Sequence, residues 1–363
     1  MPIINNTLSV SRNAYFAYNP AVEMLCSLHV LSDYSHHENC QAWAERAHKL
    51  LQPSLLEKIT EYGAKYAQFG FIIDIADHLC DRSNYEENLD DINDFIQRLK
   101  TMSNNEFAYI FLGANLINHE KVDDWLKEPQ SLDKKELGEA INYVHFSEMQ
   151  SFLQNIDHIK SELIQMLTEY WDSFFHVEWQ TLKPYYAKKL EEESTKFARV
   201  DTLEYILSLH SDLEFKDSRL IMKKKHEYSC NLDEMKEITL YISLFSSPHL
   251  LLNIYNSRLS IYVNTEMPKV EDTDVSQFVS FAKALGDVMR FNILLSLSKD
   301  SYTTKDLALK YKITPASISK HLKILKDANL IHHKKKKNFV HYCINNPQLL
   351  KCIRELSELF EKE

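Results

Sequence analysis

A chain of 363 residues exceeds what one ordinary hydrophobic core serves, so two or three domains are expected. With 44% hydrophobic and 26% charged residues it has a soluble globular composition, and the lack of any long uninterrupted apolar run argues against a simple membrane span. Five glycines, with no GxGxxG and no GxxxxGK[ST], exclude the usual phosphate-cradling loops, and a formal net charge of −10 weighs against nucleic acid as a partner of the whole chain.

The opening stretch MPIINNTLSVSRNAYF lacks a charged start followed by an apolar run, so no secretion signal is read there. Cys26, Cys40, Cys80, Cys230, Cys343 and Cys352 show no CxxC spacing, which suits reduced thiols in a cytoplasm. Asn19-Pro20 predicts a helix N-cap and first position, with Glu23 in the first turn and Val22, Leu25, Leu28 and Leu31 on a helical repeat. Helices are expected through 15–65 and again through 85–145. Phe152, Ile156, Ile159, Leu163, Met166, Tyr170 and Phe174 then predict one long helix that ends before Pro184. It would pack inside its own domain, with a dimerising coiled coil as the alternative.

After residue 215 the period changes to two. Ile238, Leu240, Ile242 and Leu244 alternate with polar neighbours, and so do Leu259, Ile261 and Val263 beyond the turn Asn256-Ser257-Arg258. With RLIMKKK at 219–225 they predict a small antiparallel sheet near 215–263. The acidic NTEMPKVEDTDV that follows reads as a boundary. The expected fold is therefore mainly α with a small antiparallel β region: a helix-rich domain over 1–265, a linker over 266–275 and a second domain over 276–363.

Charge separates these parts. Residues 276–363 hold 16 Lys+Arg against 8 Asp+Glu, a net of +8, while the rest holds 26 against 44, a net of −18. Only the basic end suits a polyanion. There, Phe278, Phe281, Ala282 and Leu285 predict an apolar stripe on a helix ending near Gly286, and Phe291, Leu294, Leu295 and Leu297 a second one. Thr303 or Thr304 can cap the next short helix. Thr314 as N-cap and Pro315 at the first position mark the start of another, whose Ile318, Leu322 and Leu325 fix a buried face. The opposite face presents Ser317, Ser319, Lys320, His321 and Lys323. Lys334, Lys335, Lys336 and Lys337 then stand between two short apolar strands. A helix with small polar and basic residues outward, beside a lysine-tipped hairpin, suits major-groove insertion with a wing on the phosphates. Thr314 joins those residues as an expected DNA contact.

FAKALGDVMRFNILLSL, TPASISKHLKILKDANLI and the closing FVHY resemble the ArsR-type family of bacterial winged helix-turn-helix repressors over about a quarter of the chain. The resemblance implies a homodimer on a twofold-related operator, built from the first and last helices of the domain. Phe278, Phe281 and Leu285 on the first, and Leu349, Ile353, Leu356 and Phe360 on the last, are its expected dimer contacts. Two departures from the family pattern stand out. Ser301-Tyr302-Thr303-Thr304 replaces a cysteine pair used for metal sensing, and NPQLLKCIRELSELFEKE has no histidine. Cys343 and Cys352 read as structural thiols. Lys337 stands where the wing glycine is usual, and the adjacent Asn338 is expected to take up the turn geometry instead.

In the larger domain, His36-His37 with Cys40, and His78 with Cys80, have metal-ligand chemistry but no zinc-type spacing, and read as surface or core residues. His176 and Glu178 offer an acid and a base, but a packed aromatic helix is the better reading of both. Trp171, Phe174, Phe175, Trp179, Tyr185 and Tyr186 read as core, with an apolar effector pocket as the alternative. NPAVEMLCSLHVL and WDSFFHVEWQTLKPYY weakly resemble the amino-terminal halves of long ArsR-type regulators. The sequence thus predicts a cytoplasmic, homodimeric DNA-binding repressor without metal or cofactor, not an enzyme, whose larger domain senses a small molecule or protein. The alternatives are an adaptor whose winged helix no longer binds DNA and an enzyme fused to a DNA-binding domain.

Overall fold

The computed structural model describes residues 7–9, 13–66, 69–79, 92–114, 117–137, 144–223, 227–255, 257–268, 275–336, 339–346, 348–350 and 352–353. Contacts divide the chain into two units, 1–176 with 184–267, and 268–363 with 177–183.

The first unit opens with β1 (Thr7–Ser9) and β2 (Ala14–Ala17), then α1 (Pro20–Ser32). Asn19 Oδ1 accepts from the N–H groups of Ala21 and Val22 at 2.8 and 3.2 Å, the expected cap ahead of Pro20. From Pro20 to Leu31 every side chain of α1 is buried, including Glu23, Ser27 and His29, so this helix runs through the interior. Against it pack α2 (Gln41–Leu50), α3 (Pro53–Lys65), α4 (Gly70–Leu79) and α5 (Ile92–Thr101), while α6 (Asn104–Phe111) packs on α4 and α7 (His119–Lys127) on α6.

The predicted long helix is real as a buried stripe but not as one rod. Phe152, Ile156, Ile159, Leu163, Met166, Tyr170 and Phe174 are all buried. They lie on α8 (Phe146–Gln154), α9 (Ile156–Tyr170) and a π-turn over Trp171–Phe175. Asn155, at φ −123° and ψ 25°, separates α8 from α9. The expected stop before Pro184 does not occur, because α10 (His176–Phe197) runs through it. Proline there removes one backbone hydrogen bond. The apolar series Trp179, Leu182, Tyr186 and Leu190, buried on both sides of Pro184, offsets that loss. α11 (Thr202–Ser208) follows.

The β region differs from the expected single antiparallel sheet. β3 (Leu213–Lys216), β4 (Arg219–Lys223) and β5 (Glu227–Cys230) form a separate antiparallel meander. β6 (Glu237–Ser243), β7 (Leu252–Tyr255) and β8 (Arg258–Asn264) join the first two strands in the order β1-β2-β6-β8-β7. The outer pair β7–β8 is antiparallel as expected. β1–β2 is antiparallel too, with β2 lying where a helix was expected from residue 15, while β2–β6 and β6–β8 are parallel. Thr239, Tyr241 and Ser243 of β6 are buried together with their apolar neighbours, as both faces of parallel strands usually are. Asp77 of α4 anchors the sheet: its carboxylate accepts from Asn253 Nδ2 at 3.0 Å and Ser260 Oγ at 2.7 Å.

The second unit contains α12 (Val275–Leu285), α13 (Val288–Leu297), β9 (Tyr302–Thr303), α14 (Thr304–Tyr311), α15 (Pro315–Asp327), β10 (Ile331–Lys336) and β11 (Phe339–Ile344). Its antiparallel sheet has the order β10-β11-β9. Phe281, Ala284, Ile293, Leu297, Leu307, Ile318, Leu322 and Leu325 share one core. The inward faces differ in phase from two expectations: Ala282 is exposed, and Phe291 and Leu295 are 49% and 50% exposed while Ile293 and Leu294 turn inward. A helical repeat gives the width of an apolar stripe more readily than its centre when apolar residues exceed those one face can hold.

Candidate nucleic-acid interface

Local hydrogen bonds define the helix pair. Thr303 Oγ1 accepts from Asp306 N–H at 3.2 Å, and the Asp306 carboxylate accepts from Thr303 N–H at 2.9 Å. This reciprocal cap starts α14, and the Thr303 hydroxyl, donating to the Asp306 carboxylate at 2.7 Å, followed by the Thr303 N–H, holds that carboxyl below its usual range. α14 ends at Lys312 in the left-handed region, at φ 55° and ψ 41°. Thr314 Oγ1 then accepts from Ser317 N–H at 3.2 Å, and Pro315 opens α15.

The AKALGDVMR segment has an equally concrete role. Asp287 caps α13 by accepting from Arg290 N–H at 2.9 Å. The Arg290 guanidinium turns back to the carbonyls of Ala284 and Lys283 at 2.7 and 2.6 Å, satisfying the end of α12. The Arg290 N–H, and after it the Arg290 charge, hold the Asp287 carboxyl below its usual range.

On α15, Ile318, Leu322 and Leu325 are buried as expected. Thr314, Ser319, Lys320 and Lys323 are exposed and Ser317 is half-buried. His321 departs from the expectation. It stands one turn from both Ile318 and Leu325, so its ring lies at the edge of the buried face, with Nδ1 3.6 Å from Asp287 Oδ1. β10 and β11 pair from Ile331–Ile344 out to Lys336–Phe339, with Lys334 and Lys335 exposed. Lys337, Asn338 and the Lys336 side chain lie outside the described residues.

The expected dimer contacts divide. Phe281 is buried in the unit's own core, and Leu285 and Leu349 pack partly against it, while Ile353 is 50% exposed. The Phe278 side chain, Leu356 and Phe360 lie outside the described residues. Cys352 is buried and Cys343 half-buried.

His176 is exposed and Glu178 buried, so the two face different ways and do not form an acid–base pair. Phe174, Phe175, Trp179 and Tyr186 are packed core, Tyr185 is half-buried, and Tyr186 stacks on Tyr18 with ring centroids 5.7 Å apart. His78 meets Glu106 at 2.5 Å, and Cys80 lies outside the described residues. Cys40 turns its thiol to the Leu244 carbonyl at 3.4 Å, and burial with the nearby Glu23 pushes it up to about 12. His36 and His37 are instead joined by His29 and His249. Burial lowers the pKa of His37 and favours its neutral ring. Sequence reasoning missed His29 and His249, since neither has a telling spacing to His36 or His37.

Residues 5–264 match a family described as "family of unknown function (DUF5937)". The chain belongs to this DUF5937 family. Its residues 287–333, from the Asp287 cap into β10, match the family "bacterial regulatory protein, arsR family", and this part is an arsR-type winged helix-turn-helix domain. The DUF5937 chain is 35% identical over 80 residues to the transcriptional repressor SdpR of Bacillus subtilis, covering 22% of this chain and 89% of that protein. It is 25% identical over 97 residues to a transcriptional repressor SmtB homolog of Synechocystis sp., covering 26% and 74%. Among solved structures, an ArsR-like transcriptional regulator from Rhodococcus sp. RHA1 aligns at 26% identity and a TM-score of 0.23, covering 23% of this chain and 80% of that one. NolR from Sinorhizobium fredii aligns at 23% identity and 0.21, covering 26% and 96%. Among the described residues, no helix is long and apolar enough to cross a membrane.

Proposed function

We propose that this chain is a sequence-specific DNA-binding transcriptional regulator whose α15 reads the major groove while the β10–β11 hairpin holds phosphates. The observation that carries this reading is the division of α15: Ile318, Leu322 and Leu325 anchor it in the core, leaving Ser319, Lys320 and Lys323 exposed beside the exposed Lys334 and Lys335. Short hydroxyl side chains permit close approach of the helix, and the lysines reach phosphates or guanine edges. Thr314, Ser317, His321, Lys336 and Lys337 extend the same surface.

The chain acts as a cytoplasmic homodimeric repressor in this reading. Both relatives named above are transcriptional repressors, and Ile353 leaves apolar surface exposed on the last helix. The domain limits are 1–265 and 276–363 with a linker between. The larger domain takes an effector or protein partner and alters the spacing of the two reading helices. Fluorescence anisotropy of the full chain on DNA from its own promoter, against unrelated DNA of equal length, tests this. Preferential binding of the promoter is expected, and equal affinity for both would overturn sequence-specific recognition.

A further inference from the structure

Four histidines from three separate segments of the first unit converge. His29 comes from the last turn of α1, His36 and His37 from the short turns before α2, and His249 from the connection between β6 and β7. One ring nitrogen from each lies within 4.8 Å of the others. His36 and His249 meet Nε2 to Nε2 at 3.1 Å across 213 residues of sequence. We propose that these four imidazoles bind one divalent first-row transition-metal ion, Zn²⁺ foremost.

His37 supplies the sharpest argument. Its Nδ1 donates to the Ser247 carbonyl at 2.7 Å, which places the lone pair of the neutral ring on Nε2. That Nε2 is buried and has no hydrogen-bond partner among the described residues. Buried acceptors are ordinarily satisfied, and a histidine tied by one nitrogen to a carbonyl is the usual posture of a metal ligand. His36 Nε2 faces His249, and its Nδ1 lies 3.7 Å from Asp33 Oδ2, beyond hydrogen-bond distance but near enough for the carboxylate to favour a cation beside the ring.

The spacing suits the ion. With bonds of about 2.0–2.1 Å, nitrogens around a tetrahedral metal lie roughly 3.3 Å apart. The His36–His249 separation of 3.1 Å is already close to that. The remaining nitrogens reach it by contraction within the 4.8 Å cluster. An all-imidazole set selects Zn²⁺ and its neighbours over Mg²⁺ or Ca²⁺, which prefer oxygen. Four protein ligands leave a tetrahedral ion no position for a reacting water, so the site holds an ion and is not a hydrolytic centre. His36 and His249 are half-buried above the more deeply set His29 and His37, which gives the ion a way in. The site uses no residue of the winged domain and stands whether or not the chain binds DNA.

The test is a Co²⁺ titration of the chelator-stripped full chain, read by visible absorption and followed by displacement with Zn²⁺. One equivalent of Co²⁺ with the intense bands of a tetrahedral ion, bleached by Zn²⁺, is expected. The His36→Ala/His249→Ala variant should lose the bands, while a His332→Ala/His333→Ala control on β10 should keep them. Zn²⁺ should raise the melting temperature of the wild type by several degrees and leave the His36→Ala/His249→Ala variant unmoved. If the stripped wild type takes up neither ion, the proposal falls whatever the variants do. Retention of the bands in the His36→Ala/His249→Ala variant, or a weak six-coordinate spectrum in the wild type, also overturns it.

Discussion

Glu23 is a fully buried carboxyl on α1 whose Oε2 accepts from the Tyr186 hydroxyl and, at 3.0 Å, from Leu244 N–H. Burial outweighs these bonds and pushes its pKa from 4.5 up to about 7. Between those two pH values the unfolded chain gives up the proton while the folded chain keeps it. The stability this group contributes is therefore complete below about pH 4.5 and is lost as pH rises through about 7. Glu23→Gln keeps both acceptor bonds without the charge, so it should raise stability at pH 8 relative to wild type, by up to roughly 3 kcal/mol, and little at pH 4. Urea unfolding at the two pH values measures this, and an unchanged pH dependence in the variant would contradict it. In the sequence Glu23 reads as an ordinary first-turn acid, because Tyr186 and Leu244 are 163 and 221 residues away. Asn19 and Thr314, by contrast, were legible as caps, since their partners lie two or three residues on.

At the scale of elements, α15 has one face buried in the core and one exposed, and substitutions should separate them. Leu322 is 2% exposed within the winged unit's core, so Leu322→Ala should cost about 2–5 kcal/mol. Lys323→Ala, on the exposed side, should change stability by less than about 0.5 kcal/mol. Chemical denaturation followed by circular dichroism gives both values, and equal costs would mean that the two faces are wrongly assigned. The division was readable in advance because Ile318, Leu322 and Leu325 recur at helical spacing between a marked start and the short turn that follows. Strand pairing was not readable. Alternation in β6 shows which residues share a face, but not that β2 and β8 flank it in parallel, nor that β4 belongs to another sheet. Pro184 misled for a related reason: its local penalty is plain in sequence, while the buried Tyr186 and Leu190 that outweigh it depend on distant neighbours.

For the whole molecule, the decisive property is the uneven charge, +8 over 276–363 against −18 elsewhere. An acidic body discourages indiscriminate attachment to DNA, so binding must come from the basic domain and fall steeply with salt. That asymmetry was legible from composition alone. The convergence of His29, His36, His37 and His249 was not, since it exists only once α1 and the β6–β7 connection are packed together. The most direct measurement is the salt dependence of promoter binding by the full chain and by its Lys320→Glu/Lys323→Glu variant. The wild type should lose ~10³-fold or more in affinity over a fourfold rise in salt, and the variant should bind far more weakly with a shallower slope. A variant that binds as tightly as the wild type, with the same slope, would contradict the assignment of α15 as the DNA-reading helix.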